Sequence, residues 1–272
     1  MGLRQKIEAL AKYLKYDGKV TNLTLSQVNH GGILQGKRIV VTGGGSGIGL
    51  AMARKFLSEG AEVVITGRNL DKLKEAANSV NNPRLHTMQW DVVKTEQIND
   101  KLQEAIDLLG GGIDAFVNNA AFVAVRKDGE EFWDNSFDTN AKALYFVSKA
   151  VVQVFERLNE GRVSKILNIS SMSSFINNSN PYGISKVCVN RITKGFAKES
   201  ASKNIIVNAI APGYTNASIN KQDIDENAFS AKNPLHRIIV PEDIAELACF
   251  LLSDAANAIV GQIITVDGGT TL

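Results

Sequence analysis

Cysteine and histidine are scarce in this chain, with two and three residues among 272. Cys188 and Cys249 stand far apart, each inside an apolar, helix-like stretch, so no disulfide framework or paired metal-ligand spacing can be drawn from them. His30, His86 and His236 are scattered without acidic or cysteine partners at ligand spacing, and no metal site is expected. Long hydrophobic runs are missing as well; none approaches the roughly 20 residues that span a bilayer. There is no block of like charge, and a net charge of +2 speaks against a nucleic-acid footprint or a polybasic membrane patch. The opening stretch MGLRQKIEALAKYLKYDGK lacks the apolar core of a secretory signal. A reducing, cytoplasmic setting is the expectation.

What the chain does hold is an alternation. Seven short runs, RIVVTG, EVVITG, LHTMQW, DAFVNNA, KILNIS, IIVNAIAPG and QIITVDGG, read as strands, and segments of helical spacing separate them. Strands that are nearly continuous Ile, Val and Leu are buried on both faces, as in a parallel sheet covered by helices on both sides. The fold class expected is therefore α/β, a single doubly wound Rossmann domain with a mainly parallel seven-stranded sheet. Residues 37–272 form that domain. Residues 1–36 form an extension, in which Leu3, Ile7, Leu10 and Leu14 share one face of an amphipathic helix that precedes a mostly extended connector. In such sheets ligands bind beyond the carboxyl ends of the strands, at the switch in strand order.

The first strand runs into VVTGGGSGIGLAMARKF. A strand, a glycine turn and a helix N-terminus together make an anion cradle of backbone N–H groups. The GxGxxG spacing cannot be laid on these glycines, and Leu50 stands where a Walker A lysine is needed. Thr42, then Gly43-x-x-x-Gly47-x-Gly49, remains; alone it also suits a plain strand-to-helix turn. The second strand ends in Gly67 and Arg68 rather than an acidic residue. A guanidinium there suits a ribose 2′-phosphate, which favours NADP(H) over NAD(H), although an arginine at a helix start is also an ordinary surface residue.

The segment SSMSSFINNSNPYGISK, residues 170–186, crowds four serines ahead of Tyr182 and Lys186. Asn180 and Pro181 read as an N-cap and first helical residue, which puts Tyr182 in the first turn and Lys186 one turn on, along the same face. An unperturbed phenol titrates near 10, and a cation within about 4–6 Å lowers an acidic group by roughly 1–3 units. Lys186 is thus expected to tune Tyr182 as a general acid/base.

At this point the chain resembles the short-chain dehydrogenases/reductases, including their 3-oxoacyl carrier-protein reductase and carbonyl reductase members. The resemblance covers nearly everything from Lys37 to Leu272. The motifs come in the family's order: Thr42-Gly43-x-x-x-Gly47-x-Gly49, Asp91-Val92, Asn118-Asn119-Ala120, Asn140, the serines after the fifth strand, Tyr182-x-x-x-Lys186, Pro212-Gly213 and Val266-Asp267-Gly268-Gly269.

The resemblance implies roles. The glycine turn, with Thr42, Gly43, Ser46, Gly47, Ile48 and Gly49, holds the pyrophosphate. Asp91 and Val92 border the adenine, Asn118 and Ala120 lie beside a cofactor ribose, and Lys186 holds the nicotinamide ribose hydroxyls. Pro212, Gly213 and Thr215 belong to the nicotinamide end. Tyr182 protonates the carbonyl oxygen, Ser171 hydrogen-bonds it, and Asn140 holds a water that links Lys186 to solvent. Alignment on the Asn-Ile-Ser strand end selects Ser171, whereas Ser170 should face the other way on extended backbone.

The implied function is an NADP(H)-dependent carbonyl reductase or alcohol dehydrogenase, a homotetramer or dimer, acting on a small carbonyl or alcohol. Reduction of 3-oxoacyl thioesters is one sub-reading, in which Arg162 and Lys203 would flank the cleft and meet an acidic carrier, although basic residues of this kind equally suit a plain solvated surface. The alternatives are a non-catalytic NADP-binding scaffold or redox sensor, and an NAD-dependent sugar or steroid dehydrogenase. The chain departs from the family's pattern at Ala121, where glycine is common, in a shorter loop from Ser171 to Tyr182, and at Ala217, where a threonine is frequent and Thr215 or Ser218 would have to substitute.

Overall fold

The computed structural model describes residue 19 and residues 30–123, 129–177, 179–215 and 228–272. The expected helix of the N-terminal extension lies outside these residues, as do Ala217 and Ser218. Seven strands form where the apolar runs placed them: β1 (Arg38–Thr42), β2 (Glu62–Gly67), β3 (Leu85–Gln89), β4 (Ala115–Asn118), β5 (Ser164–Ile169), β6 (Ile205–Pro212) and β7 (Ile263–Val266). They make one sheet in the order β3-β2-β1-β4-β5-β6-β7, and every pairing is parallel. The order reverses between β1 and β4, which is where such a sheet opens a crevice for ligands.

Among the described residues, seven α-helices connect or flank the strands: α1 (Gly47–Ser58), α2 (Leu70–Val80), α3 (Ile98–Leu108), α4 (Glu130–Phe137), α5 (Leu144–Leu158), α6 (Pro181–Ser200) and α7 (Pro241–Leu252). Alternation along each strand sorts them between two cores. Ile39 and Val41 of β1 pack with Met52 and Phe56 of α1, Leu73 of α2 and Ile244 of α7. Val40, between them in sequence, faces the opposite core with Leu102 of α3, Val151 of α5 and Phe196 of α6. Each fully buried side chain of this size contributes roughly 1.5–3 kcal/mol, and a one-residue slip would send all of them to the wrong side.

Packing begins before Lys37. Leu34 is fully buried in the first core, and its N–H donates to the Glu59 carbonyl at 3.1 Å. The buried Glu59 carboxylate accepts from the N–H groups of His30 and Gly32 and from Lys55 Nζ at 2.9 Å. Lys55 also reaches Glu246 at 3.1 Å, so one buried ammonium joins α1 to α7 and to the start of the domain.

Candidate active site

The glycine turn closes against the end of β4. Thr42 Oγ1 donates to the Val117 carbonyl and accepts the N–H groups of Asn119 and Ala120, both at 3.0 Å. Asn119 returns the contact, its amide donating to the carbonyls of Thr42 and Gly43. Gly43 has φ +66°, and a Cβ there would lie 2.9 Å from Ala120 Cα. A Cβ on Gly49 would lie 2.4 Å from the Gly43 carbonyl oxygen. The backbone is drawn this close because no side chain intervenes. Ser46 caps α1 in extended backbone without a side-chain capping bond, so its hydroxyl is left to face the cleft together with the first-turn N–H groups of the helix.

A cleft of about 350 Å³ opens beside this turn. It gathers Gly43, Ser46, Arg68, Asp91, Val92 and Ala120 from among the expected cofactor residues. Thr42 lies buried beneath it. Asn118 turns its amide away, donating to Ser148 Oγ at 3.0 Å and Asn168 Oδ1 at 2.8 Å. Ala121 lines the cleft with a negative φ, so the residue that departs from the family pattern sits there without left-handed strain.

Sequence reasoning overlooked Lys72, whose side chain lines the same wall as Arg68. Neither cation has an ion-pair partner among the described residues. The signal was present in Asn69, which caps α2 by accepting the Lys72 N–H at 3.0 Å and so sets Lys72 in the first turn. Thr66 Oγ1 and Trp90 Nε1 also lie in this wall, buried and without hydrogen-bond partners. A glycine cradle that a Cβ would fill, two unpaired cations and two orphaned polar atoms fit a polar, anionic ligand of nucleotide size.

Beyond β5 the four serines separate. Ser170 donates its hydroxyl to Asn190 Oδ1 on α6 at 2.6 Å. Ser171, on the opposite side of the extended backbone, accepts the Ser173 N–H at 3.2 Å and stands near enough to Tyr182 for its hydroxyl to pull the phenol down. Asn180 caps α6 by accepting the Tyr182 N–H at 2.8 Å, as its sequence position implied. Lys186 is 2% exposed; its Nζ donates to the Ile169 carbonyl at 2.8 Å and lies 5.8 Å from the centre of the Tyr182 ring.

Burial dominates the titration of both groups. It raises the Tyr182 phenol above its ordinary value against the pull of the Ser171 hydrogen bond, and it pushes the Lys186 ammonium down to about 8. In the protein on its own the phenol lies above its ordinary value, because burial outweighs the pull of Ser171, and burial alone accounts for the lowered ammonium.

Asn140 sits in a π-helical turn, Asp138–Ala143, that joins α4 to α5. It clamps Phe122, accepting from its N–H at 2.8 Å and donating to its carbonyl at 3.1 Å, and also donates to Ser185 Oγ. Asn140 thus ties the strand-four loop to the helix of Tyr182. Pro212 ends β6, and Gly213 lies against Asp267, where a Cβ would come within 2.7 Å of its Cα. Thr215 donates to the Gly213 carbonyl.

One expectation fails outright. Arg162 precedes the start of β5 and Lys203 the start of β6, so both lie at the sheet edge opposite the site. Parallel strands gather all their starts at one edge. Arg162 faces Asp114 at 3.8 Å, and Lys203 pairs with Glu156.

A family described as Enoyl-(Acyl carrier protein) reductase matches residues 43–271. The chain is 32% identical over 246 residues to 3-oxoacyl-(acyl-carrier-protein) reductase FabG of Chlamydia trachomatis, covering 88% of this chain and 98% of that one. It is 34% identical over 251 residues to gluconate 5-dehydrogenase of Gluconobacter oxydans, covering 88% and 96%. A crystal structure of 3-ketoacyl-(acyl-carrier-protein) reductase from Brucella melitensis, complexed with NADH, superposes with a TM-score of 0.79 at 27% identity, covering 88% of this chain and 100% of that one.

Proposed function

The chain belongs to the short-chain dehydrogenase/reductase family of oxidoreductases, and we propose that it interconverts a ketone and a secondary alcohol with NADP(H) as its preferred cofactor. The observation that carries this reading is the meeting of Ser171, Tyr182 and Lys186 at the end of β5, beside a glycine cradle at the switch point. When bound, the nicotinamide supplies the hydride. Thr42 through Gly49 would hold the pyrophosphate. Asp91, Val92 and Ala120 would border the adenosine half, and Pro212, Gly213 and Thr215 the nicotinamide end. Arg68 and Lys72, both unpaired among the described residues, favour a 2′-phosphate.

The substrate oxygen sits between the hydroxyls of Tyr182 and Ser171. Tyr182 passes its proton to that oxygen as carbon is reduced, and Ser171 donates a hydrogen bond that is strongest when the oxygen carries charge. Lys186, anchored on the Ile169 carbonyl, keeps a proton donor next to the tyrosine in a water-poor site. Asn140 holds Phe122 and Ser185 in place and stands where a proton path to solvent would run.

Among the described residues, exposed apolar side chains gather beyond the strand ends that carry the site. Val123 beyond β4, Phe175 and Ile176 beyond β5, and Tyr214 beyond β6 all stand exposed, at 63%, 48%, 42% and 61%. These four side chains, contributed by adjacent strand ends, suit an apolar body attached to the ketone, such as a 3-oxoacyl thioester, better than a polyhydroxy acid. The same reading makes the protein a cytoplasmic homo-oligomer, to which the exposed aromatics Trp133, Tyr145 and Phe146 of α4 and α5 would contribute an interface.

Cofactor oxidation followed across aliphatic ketones, 3-oxoacyl thioesters and keto-sugars, with NADPH and NADH in parallel, tests the proposal. NADPH-dependent turnover of the apolar ketones is expected. Preference for NADH would overturn the roles of Arg68 and Lys72, and turnover confined to keto-sugars would overturn the apolar substrate. Cofactor binding without turnover on any substrate would favour a scaffold or sensor.

A further inference from the structure

Two of the four serines bond one asparagine, and a third is tied in through its carbonyl. The Ser170 hydroxyl donates to Asn190 Oδ1 at 2.6 Å, the Asn190 amide donates to Ser174 Oγ at 2.8 Å, and the Ser174 hydroxyl donates to the Ser171 carbonyl at 2.6 Å. The three bonds run in one consistent direction, each hydroxyl or amide donating to the next group. The backbone reinforces it: the Ser174 N–H also donates to the Ser171 carbonyl, and the Ser170 N–H continues the β5–β6 ladder to Ile210.

Asn190 lies four residues beyond Lys186 and eight beyond Tyr182, on the same face of α6. The helix that carries the acid/base pair therefore also grips, two turns further on, the turn that carries Ser171. Ser170 packs 3% exposed against this grip, with its hydroxyl 3.4 Å from the Lys186 carbonyl.

We propose that Asn190 is a positioning residue that sets the Ser171 hydroxyl against Tyr182 by holding Ser170 and Ser174 to α6. Strand alternation turns Ser170 and Ser171 to opposite sides, so a contact behind the strand end fixes the side chain in front of it. A displaced hydroxyl costs rate even though every catalytic group remains, because reactive geometry tolerates little error. The inference rests on the role proposed for Ser171, and its failure can be told apart from the failure of that role.

The test compares Asn190→Ala, Ser174→Ala, Ser171→Ala and the double variant Asn190→Ala/Ser171→Ala in the full chain, each saturated with the better of NADPH and NADH. Asn190→Ala is expected to lower kcat by about 10- to 100-fold, with cofactor affinity unchanged. It should also move the alkaline limb of the reduction profile upward, because the Ser171 bond is what pulls the phenol down. In the Ser171→Ala background the same substitution should cost less than about threefold, since both act through one group. Ser174→Ala breaks the link from the loop side, should shift the limb in the same direction, and decides the matter if Asn190→Ala does not fold. Full additivity of the two substitutions, or an unshifted limb in the folded variants, overturns the positioning role. If Ser171→Ala itself turns over normally, the role of Ser171 falls first.

Discussion

The Lys186 ammonium lies 5.8 Å from the centre of the Tyr182 ring, yet its hydrogen bond goes to the Ile169 carbonyl at 2.8 Å. The helix N-terminus places the tyrosine and the end of β5 receives the lysine, so the pair spans the junction of strand and helix. Burial leaves the tyrosine harder to ionise and the lysine easier to neutralise than either is in water.

Tyr182→Phe keeps the ring and removes the proton. Turnover should fall by about 100- to 10,000-fold in both directions, while fluorescence titration shows cofactor binding retained. Because the phenol is raised, it stays protonated at neutral pH. Ketone reduction should therefore be flat through the neutral range, while alcohol oxidation, which needs the phenolate, should climb with pH. Equal pH dependence in the two directions would contradict the assignment.

Stability should depend on pH through Lys186. Its native value of about 8 lies below the ordinary 10.5, so between those values the unfolded chain binds more protons than the native one. Native stability contributed at this site accordingly rises as pH increases from 8 to 10.5. The stability of the native sequence relative to Lys186→Met should grow by about 3 kcal/mol over that window, read from urea unfolding. A difference that does not vary with pH would show that the fold does not lower the amine below its ordinary value.

Arg68→Ala and Lys72→Ala should each weaken NADPH by about tenfold or more, the value of a charge-assisted hydrogen bond, and leave NADH almost unaffected. Isothermal titration with both cofactors measures it. Equal losses for the two cofactors would mean that these cations meet the pyrophosphate or only shape the cleft.

Gly49→Ala and Gly195→Ala make a contrasting pair. The new methyl group at Gly49 meets the Gly43 carbonyl oxygen at 2.4 Å, whereas at Gly195 nothing lies within 4 Å. The first should lower Tm and abolish cofactor binding, because backbone cannot yield as a side chain can. The second should raise stability by about 0.5–1 kcal/mol within α6.

Much of this was legible in the residues. The seven apolar runs became the seven strands, because β-branched side chains buried on both faces leave a continuous signature. Asn180 as the cap of α6 was readable from capping chemistry, and the resemblance to the family selected Ser171, with strand alternation turning Ser170 away. The resemblance to short-chain dehydrogenases/reductases is matched by the family relationship over residues 43–271. Arg162 and Lys203 were misplaced for a reason within reach of sequence: in a parallel sheet, residues that precede strands share the edge away from the site.

Local order and chain direction, then, follow from the sequence alone, since they depend on periodicity, caps and turns among neighbours. The tertiary structure decided what contacts across distance control. It put Lys72 beside Arg68, turned Asn118 under the cleft toward Asn168, and gave Asn190 the serines of another element. It also set the directions in which Tyr182 and Lys186 shift, because the cost of stripping water from a phenol and an ammonium depends on how deeply the fold buries them. A spacing of four residues names the pair; the depth of the pocket sets its protons.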